Sequence, residues 1–149
     1  MRLAKDVFAV LAGIIVLCAS AIGVDSIVTH IFPLRTVAET ISLAVAPLES
    51  FLGGYTAGWL SPRKGALKGA LVAAPFSTAF VLGMVGWFLT NVWAGNILGA
   101  FKLLFGPLVI LNAFAALGGL LTAALGGALG SHTRKLRNES GARVAVKGK

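Results

Sequence analysis

An acidic residue, Glu49, interrupts the apolar stretch VAPLESFLGG at residues 45–54. At about 1.5 Å per helical residue, Glu49 lies roughly 16 Å from Leu60, close to the centre of a bilayer whose apolar core is about 30 Å thick. An acid at that depth costs about 3 kcal/mol on insertion scales. Because burial disfavours the charged form, we expect Glu49 to be neutral unless it is paired or hydrated. It is a candidate for carrying a proton or balancing a cation.

Hydroxyl side chains from two other apolar stretches are predicted to lie at a similar depth. Ser77 and Thr78 belong to the third stretch and Ser20 to the first. The sequence therefore predicts a small polar cavity around Glu49 with these side chains as its partners. Two structural explanations stay open: a neutral Glu49 that hydrogen-bonds a neighbouring helix, and a tilted or kinked helix that brings Glu49 to water.

The polar residues do not form a catalytic or metal-binding constellation. Glu49 has no second acid paired with it, and no Cys–His pair lies at a matching depth. Asp25 and His30 are near one edge of the first stretch, and one His with one Asp is a weak basis for a metal site. We therefore predict a non-enzymatic protein with no catalytic residue, no metal and no cofactor.

The composition indicates a membrane protein. Of the 149 residues, 57% are hydrophobic and only 12% are charged, whereas soluble domains contain about 25% charged residues. Four apolar stretches approach the length of about 20 residues that a spanning helix needs, and they cover residues 7–31, 37–60, 67–89 and 103–129. Lipid supplies no hydrogen-bond partners, so spanning segments are helical. The sequence predicts an all-α polytopic membrane protein with four transmembrane helices in a bundle.

Turn signals separate these stretches, with FPLR at residues 32–35 and SPRKG at residues 61–65. The connection between spans three and four is long and still apolar, so we predict an interfacial or re-entrant segment there. Residues 1–131 are predicted to form one transmembrane domain. Residues 132–149 are predicted to form a basic cytoplasmic tail, and its low hydrophobicity predicts partial disorder.

Basic residues are concentrated on one side of the predicted bundle. Eleven of the 13 Lys and Arg residues lie at the termini or in the second connection, and only Arg35 and Lys102 lie on the other side. The positive-inside rule then predicts a multi-pass protein of the cell inner membrane with both termini in the cytoplasm. The net charge of +8 fits anionic lipid headgroups as partners. Nucleic acid is not expected, because the basic tail has no aromatic residue for base stacking.

The N-terminus also has features of a secretory signal peptide, with Arg2 and Lys5 before an apolar stretch and ASA at residues 19–21. The apolar stretch continues beyond Ala21, and Asp6 lies in the basic region, which both argue against cleavage. Cleavage near Ala21 would leave three spans with the same orientation. The sequence does not decide between the two.

Small residues recur at intervals of four, a pattern that allows membrane helices to approach closely. The residues predicted to pack in this way are Gly53, Gly54 and Gly58 in span two and Gly118, Gly119, Gly126 and Gly127 in span four. The pattern does not say whether these contacts form within one chain or between chains. A homo-oligomer or a larger membrane complex is therefore expected.

The segment FLGGYTAGWLSPRKGALKGALV at residues 51–72 combines two glycine motifs across a short polar loop. The first is Gly-Gly-x-x-Ala-Gly at Gly53–Gly58, and the second is Gly-Ala-Leu-x-Gly at Gly65–Gly69. This segment resembles the centre of a family of small four-span membrane proteins from bacteria and archaea. The resemblance implies a four-helix integral membrane fold and no particular activity.

Two functions are compatible with these features. The leading interpretation is a non-enzymatic accessory or structural membrane protein that packs through its Gly and Ala stripes. The alternative is a small proton-linked transporter or channel that uses Glu49. Access of water to Glu49 distinguishes the two.

Overall fold

The computed structural model describes residues 2–61, 63–99 and 107–147, and these residues are almost entirely helical. Four long helices follow one another along the chain: α1 (Arg2–Ile31), α2 (Arg35–Leu60), α3 (Gly65–Trp93) and α4 (Pro107–Lys147). No strand occurs in the described ranges. The prediction of an all-α fold is confirmed.

Three of the four helices are long and apolar enough to cross a membrane. The qualifying segments are Leu3–Ile31 in α1, Gly65–Trp93 in α3 and Asn112–Ser140 in α4. The predicted membrane character is confirmed at this level. Helix α2 is not among them, because Glu39, Glu49 and several small residues lower its hydropathy. This composition fits its position, since α2 packs against all three other helices and needs fewer lipid-compatible side chains.

The helix ends agree closely with the predicted boundaries at Ile31 and Leu60, and they differ further along the chain. Helix α3 continues to Trp93, and α4 continues through the predicted tail to Lys147. Residues 131–140 contain no Gly or Pro that would end the helix. The helix therefore runs across the predicted domain boundary at residue 131, and the partial disorder of the tail stays a prediction.

The connection after α3 begins with a tight turn at Gly95, whose φ of 77° suits a residue without a side chain. The Asn96 side chain then accepts a hydrogen bond from the Gly99 amide at 3.1 Å. The predicted interfacial or re-entrant segment between spans three and four is described only as far as residue 99, and residues 100–106 lie outside the described residues.

Interhelix contacts define the direction of each helix. Asp6 near the start of α1 contacts Ser61 just after α2, and Asp25 contacts Ser42 near the other end of the pair. Helices α1 and α2 are therefore antiparallel. Gly54 of α2 lies against Ala123 of α4, with later residues of both helices meeting further along, so these two helices are parallel. We call the end with Asp6 and Ser61 the basic end and the end with Asp25 the acidic end.

Helix α4 lies in the groove between α2 and α3 near the basic end. Four glycines border this groove: Gly54 and Gly58 of α2, and Gly65 and Gly69 of α3. A Cβ atom at Gly54 or Gly69 would overlap the backbone of Ala123, and the other two glycines make the same approach to Gly127. Three helix backbones thus meet at Ala123 and Gly127, and any side chain at the four glycines would separate them.

The opposite face of α2 makes a second close contact, with α1. A Cβ atom at Gly53 would lie 2.8 Å from the Gly13 carbonyl oxygen and 2.9 Å from the Leu17 Cβ. Leu17, Ala57 and Val72 form a small buried apolar cluster beside this contact. Because α2 has small residues on both faces, it can be enclosed between α1 and α4.

A Cβ atom added at each glycine that the sequence singled out for packing would lie within 4 Å of an atom of another helix. The contacts become looser toward the acidic end: a Cβ atom at Gly119 would lie 3.0 Å from the Ser50 Oγ, and one at Gly118 would lie 3.7 Å from the nearest atom of Pro47. These contacts form between helices of the same chain, and packing between chains stays a prediction.

Candidate functional site

The candidate site lies just beyond the last close glycine contact, on the side of the acidic end. A hollow of about 420 Å³ opens there between all four helices, and we call it the midplane cavity. Its polar lining residues are Cys18, Glu49, Ser50, Ser77 and Asn112. The remaining lining is mostly small or aromatic, including Ala46, Ala73, Ala115, Phe76 and Phe80. The small side chains in this lining leave the volume between the four helices unfilled.

Glu49 is placed in this cavity by its position on α2. It precedes Ser50 and lies one turn before Gly53, on the buried face that packs against the other helices. Its exposed fraction is only 8%. Among the residues that the structure describes, no donor hydrogen-bonds its carboxyl group, and no Lys, Arg or His lines the cavity. The acid is therefore buried without a cationic partner.

The predicted partners of Glu49 separate into two groups. Ser77 lines the midplane cavity, and its hydroxyl donates to the Ala116 carbonyl oxygen of α4 at 3.1 Å. Ser20 is half-buried beside the cavity and donates to the Leu17 carbonyl oxygen of its own helix at 2.9 Å. Thr78 is exposed and points away from the bundle interior. The structure thus brings only Ser77 of the three into the cavity with Glu49.

Three further polar residues of the cavity were not among the predicted site residues. Ser50 follows Glu49 on the buried face of α2, and Cys18 and Asn112 come from α1 and α4. The depths of Cys18 and Asn112 are readable from the sequence, but their directions depend on how each helix is rotated. Ser50 could have been found from the four-residue spacing that joins it to Gly54 on the packing face.

A second hollow, of about 490 Å³, lies toward the acidic end, and we call it the acidic vestibule. Its polar lining residues are Asp25, Glu39, Ser42, Glu49 and Asn112. Glu49 and Asn112 line both hollows, so the two hollows meet at Glu49. The vestibule therefore provides a polar route from the acidic end to the buried acid.

The two outer acids of the vestibule each have a partner. Asp25 accepts a hydrogen bond from the Ser42 hydroxyl at 3.2 Å. Glu39 forms an ion pair with Arg35 at 2.7 Å, and this hydrogen bond raises the pKa of Arg35 further above its ordinary value. Glu49 is the acid of this set that lacks such a partner in the described part of the chain.

The three acids do not form a ready-made metal site. Within the ranges that the structure describes, no three His, Cys, Asp or Glu side chains come close enough together to hold a metal ion. The chemistry that the arrangement can perform is therefore that of one buried carboxyl group, which can gain and lose a proton at the meeting point of two hollows.

No family model, curated protein or solved structure matches this chain. The function is therefore inferred from the geometry of the chain itself.

Proposed function

We propose that the chain crosses the cell inner membrane four times, with α2 as the additional span and both termini in the cytoplasm. The 26 residues of α2 measure about 39 Å, which exceeds the apolar core of about 30 Å. The basic residues of the second connection and of the α4 segment after residue 131 gather at one end of the bundle, with Arg134 donating to the Leu60 carbonyl oxygen. That grouping is what the positive-inside rule requires.

Within this membrane we propose proton-linked transport of a small solute, with Glu49 as the proton-carrying group. The observation that carries the proposal is the buried Glu49 carboxyl group at the junction of the midplane cavity and the acidic vestibule. Burial without a counter-charge disfavours an ionised carboxylate. Neither hollow has a cationic side chain among its described lining residues. A proton that enters through the vestibule therefore neutralises the Glu49 carboxylate.

The packing of the two halves supports a carrier over an open channel. From Gly54 to the basic end, helix backbones meet without space for a Cβ atom. From Glu49 to the acidic end, the hollows separate the helices. The conformation is thus open to one side and closed to the other, as a carrier is when its site faces a single side of the membrane.

A role in packing against other proteins has less support, because the Gly and Ala stripes are occupied inside the chain. Homo-oligomers and larger complexes stay predictions that would need a different surface. We keep the non-enzymatic function that the sequence predicts as part of this proposal.

The decisive experiment measures proton movement through the purified protein in liposomes. The liposomes contain a pH-sensitive dye, and a potassium diffusion potential drives protons inward. We expect wild-type protein to acidify the interior faster than empty liposomes do. Glu49→Gln keeps the shape of the side chain but removes the titratable proton, so it is expected to return the rate to that of empty liposomes.

Glu139→Gln is the matched control, because Glu139 is an exposed acid of α4 that lines neither hollow. It is expected to keep most of the flux. Equal rates for wild-type protein and empty liposomes would contradict the proposal, and equal loss in both variants would remove the special role of Glu49.

The single cysteine of the chain provides an independent test of water access, since Cys18 lines the midplane cavity. A membrane-impermeant cationic thiol reagent is expected to modify Cys18 in folded protein when it is added from the acidic end. Cys18→Ala gives the background rate. Labelling that occurs only after unfolding would show that water does not enter the cavity.

A further inference from the structure

A separate hollow lies at the basic end, remote from Glu49. It has a volume of about 650 Å³, and it is lined by Asp6, Arg63, Lys64, Lys68 and Lys135. We call it the basic hollow. Its lining comes from α1, from the connection between α2 and α3, from α3 and from α4, so it exists only when these three helices are assembled around that connection.

The acid and one of the bases in this hollow neutralise each other. The Lys68 ammonium group lies 2.5 Å from the Asp6 carboxylate, and the Ser61 hydroxyl donates to the same carboxylate at 2.5 Å. Lys68 is only 6% exposed and is also within hydrogen-bonding distance of the Ser61 carbonyl oxygen. This pair is therefore part of the wall of the hollow.

Three cations remain in the lining: Arg63, Lys64 and Lys135. Their side chains are exposed, and within the described ranges none of them forms an ion pair with an acid. Helix α3 also begins beside them, after Lys64, without a side-chain cap, so its first amide groups add positive potential. The hollow combines several positive groups with no free negative one, which is the electrostatic pattern of an anion site.

We propose that the basic hollow binds one phosphate group, that of an anionic phospholipid headgroup. A guanidinium group can hold two phosphate oxygens at once, while each ammonium group acts as a compact point charge. Exposed leucines lie close in sequence to the lining residues: Leu67 lies three residues after Lys64 and is 55% exposed, and Leu3 lies three residues before Asp6 and is 78% exposed. Apolar side chains beside a phosphate site suit acyl chains, which a soluble phosphate does not have.

Native mass spectrometry of the detergent-purified protein tests this site, with phosphatidylglycerol as the probe and phosphatidylcholine as the neutral comparison. We expect one phosphatidylglycerol to be retained in preference. Lys64→Gln and Lys135→Gln are each expected to weaken that retention about fivefold. Lys5→Gln is the matched control, because Lys5 is an exposed base near the same end that does not line the hollow.

The outcomes separate the site from general attraction to negative lipids. Equal weakening by Lys5→Gln, or equal retention of both lipids, would overturn the proposal. Inorganic phosphate is tested in a second arm: retention of phosphate that is lost in Lys64→Gln, without preferential retention of phosphatidylglycerol, would keep the phosphate chemistry but overturn the assignment to lipid.

This inference does not depend on the role of Glu49. Glu49→Gln is expected to leave phosphatidylglycerol retention unchanged, because Glu49 and the basic hollow share no lining residue. A protein that retains the lipid but moves no protons would overturn the proposed transport and keep the phosphate site.

Discussion

The half of the bundle at the basic end and the half at the acidic end are both rich in small residues, yet they pack differently. At the basic end, Gly54 and Gly58 face the backbone of Ala123 and Gly127 directly. At the acidic end, a Cβ atom at Gly23, Gly83 or Gly86 would meet nothing within 4 Å. A small residue brings helices together only where another backbone is aligned with it.

We call the half at the basic end the closed half and the half at the acidic end the open half. The closed half holds the helices together, whereas the open half holds the candidate site. The closed half contains the close backbone contacts, and the Asp6–Lys68 pair and the contact of Arg134 with α2 lie at its end. The open half contains the midplane cavity, the acidic vestibule and Glu49. A rigid half beside a loosely packed half is the arrangement expected when one part of a bundle must bind something small.

The largest expected effect comes from a bulky residue in the closed half. Gly54→Leu, Gly58→Leu and Gly126→Leu each place a side chain where another backbone already lies. We expect the yield of monodisperse protein in size-exclusion chromatography to fall sharply, since the helices cannot separate without losing their other contacts.

Gly83→Leu is the control for this comparison, because position 83 is open. It is expected to keep the wild-type elution profile, as is the milder change Leu120→Ile. Similar profiles for Gly54→Leu and Gly83→Leu would mean that the two halves do not differ in packing.

A smaller effect is expected from the contact that joins α4 to the end of α2. The Arg134 guanidinium donates to the carbonyl oxygens of Trp59, at 2.6 Å, and Leu60, at 2.5 Å. Arg134→Ala is expected to lower the free energy of unfolding by about 1–2 kcal/mol, as loss of charged hydrogen bonds usually does. Lys135→Ala, which removes a neighbouring base without such bonds, should change stability by less than about 0.5 kcal/mol.

The open half should tolerate loss of its acid. Glu49→Leu removes a buried ionisable group, and replacing such groups with apolar residues is often neutral or stabilising. We expect an increase of about 1 kcal/mol in the free energy of unfolding in detergent, together with loss of proton flux. Destabilisation by Glu49→Leu and not by Glu49→Gln would instead assign Glu49 a hydrogen bond that supports the fold.

The smallest expected effect is at the border between the two halves. The Thr122 hydroxyl of α4 lies 2.7 Å from the Pro47 carbonyl oxygen of α2, and it also reaches the Gly118 carbonyl oxygen of its own helix at 2.8 Å. Thr122→Val keeps the shape and removes the donor. We expect a loss of about 0.6 kcal/mol, the usual value for such a bond between membrane helices. A loss above about 2 kcal/mol would mean that Thr122 belongs to the closely packed half and not to its border.

Local features of the sequence were sufficient for the helices and the membrane character, and they singled out Glu49 as a candidate. The apolar stretches and turn signals gave the C-terminal ends of α1 and α2, at Ile31 and Leu60. They did not give the end of α4, which continues through Gly141 to Lys147, because charge and low hydropathy alone do not stop a helix.

The sequence by itself determined that Glu49 lies near the middle of an apolar helix and that small residues recur at four-residue spacing. Both follow from the helical repeat and from the composition of each stretch. Only the tertiary structure decided which side chains meet, because rotation and offset of each helix come from contacts between distant residues. Thr78 therefore points outward while Asn112 of α4 joins Glu49 in both hollows. For the same reason Lys64 and Lys135, which are far apart in the chain, line one basic hollow.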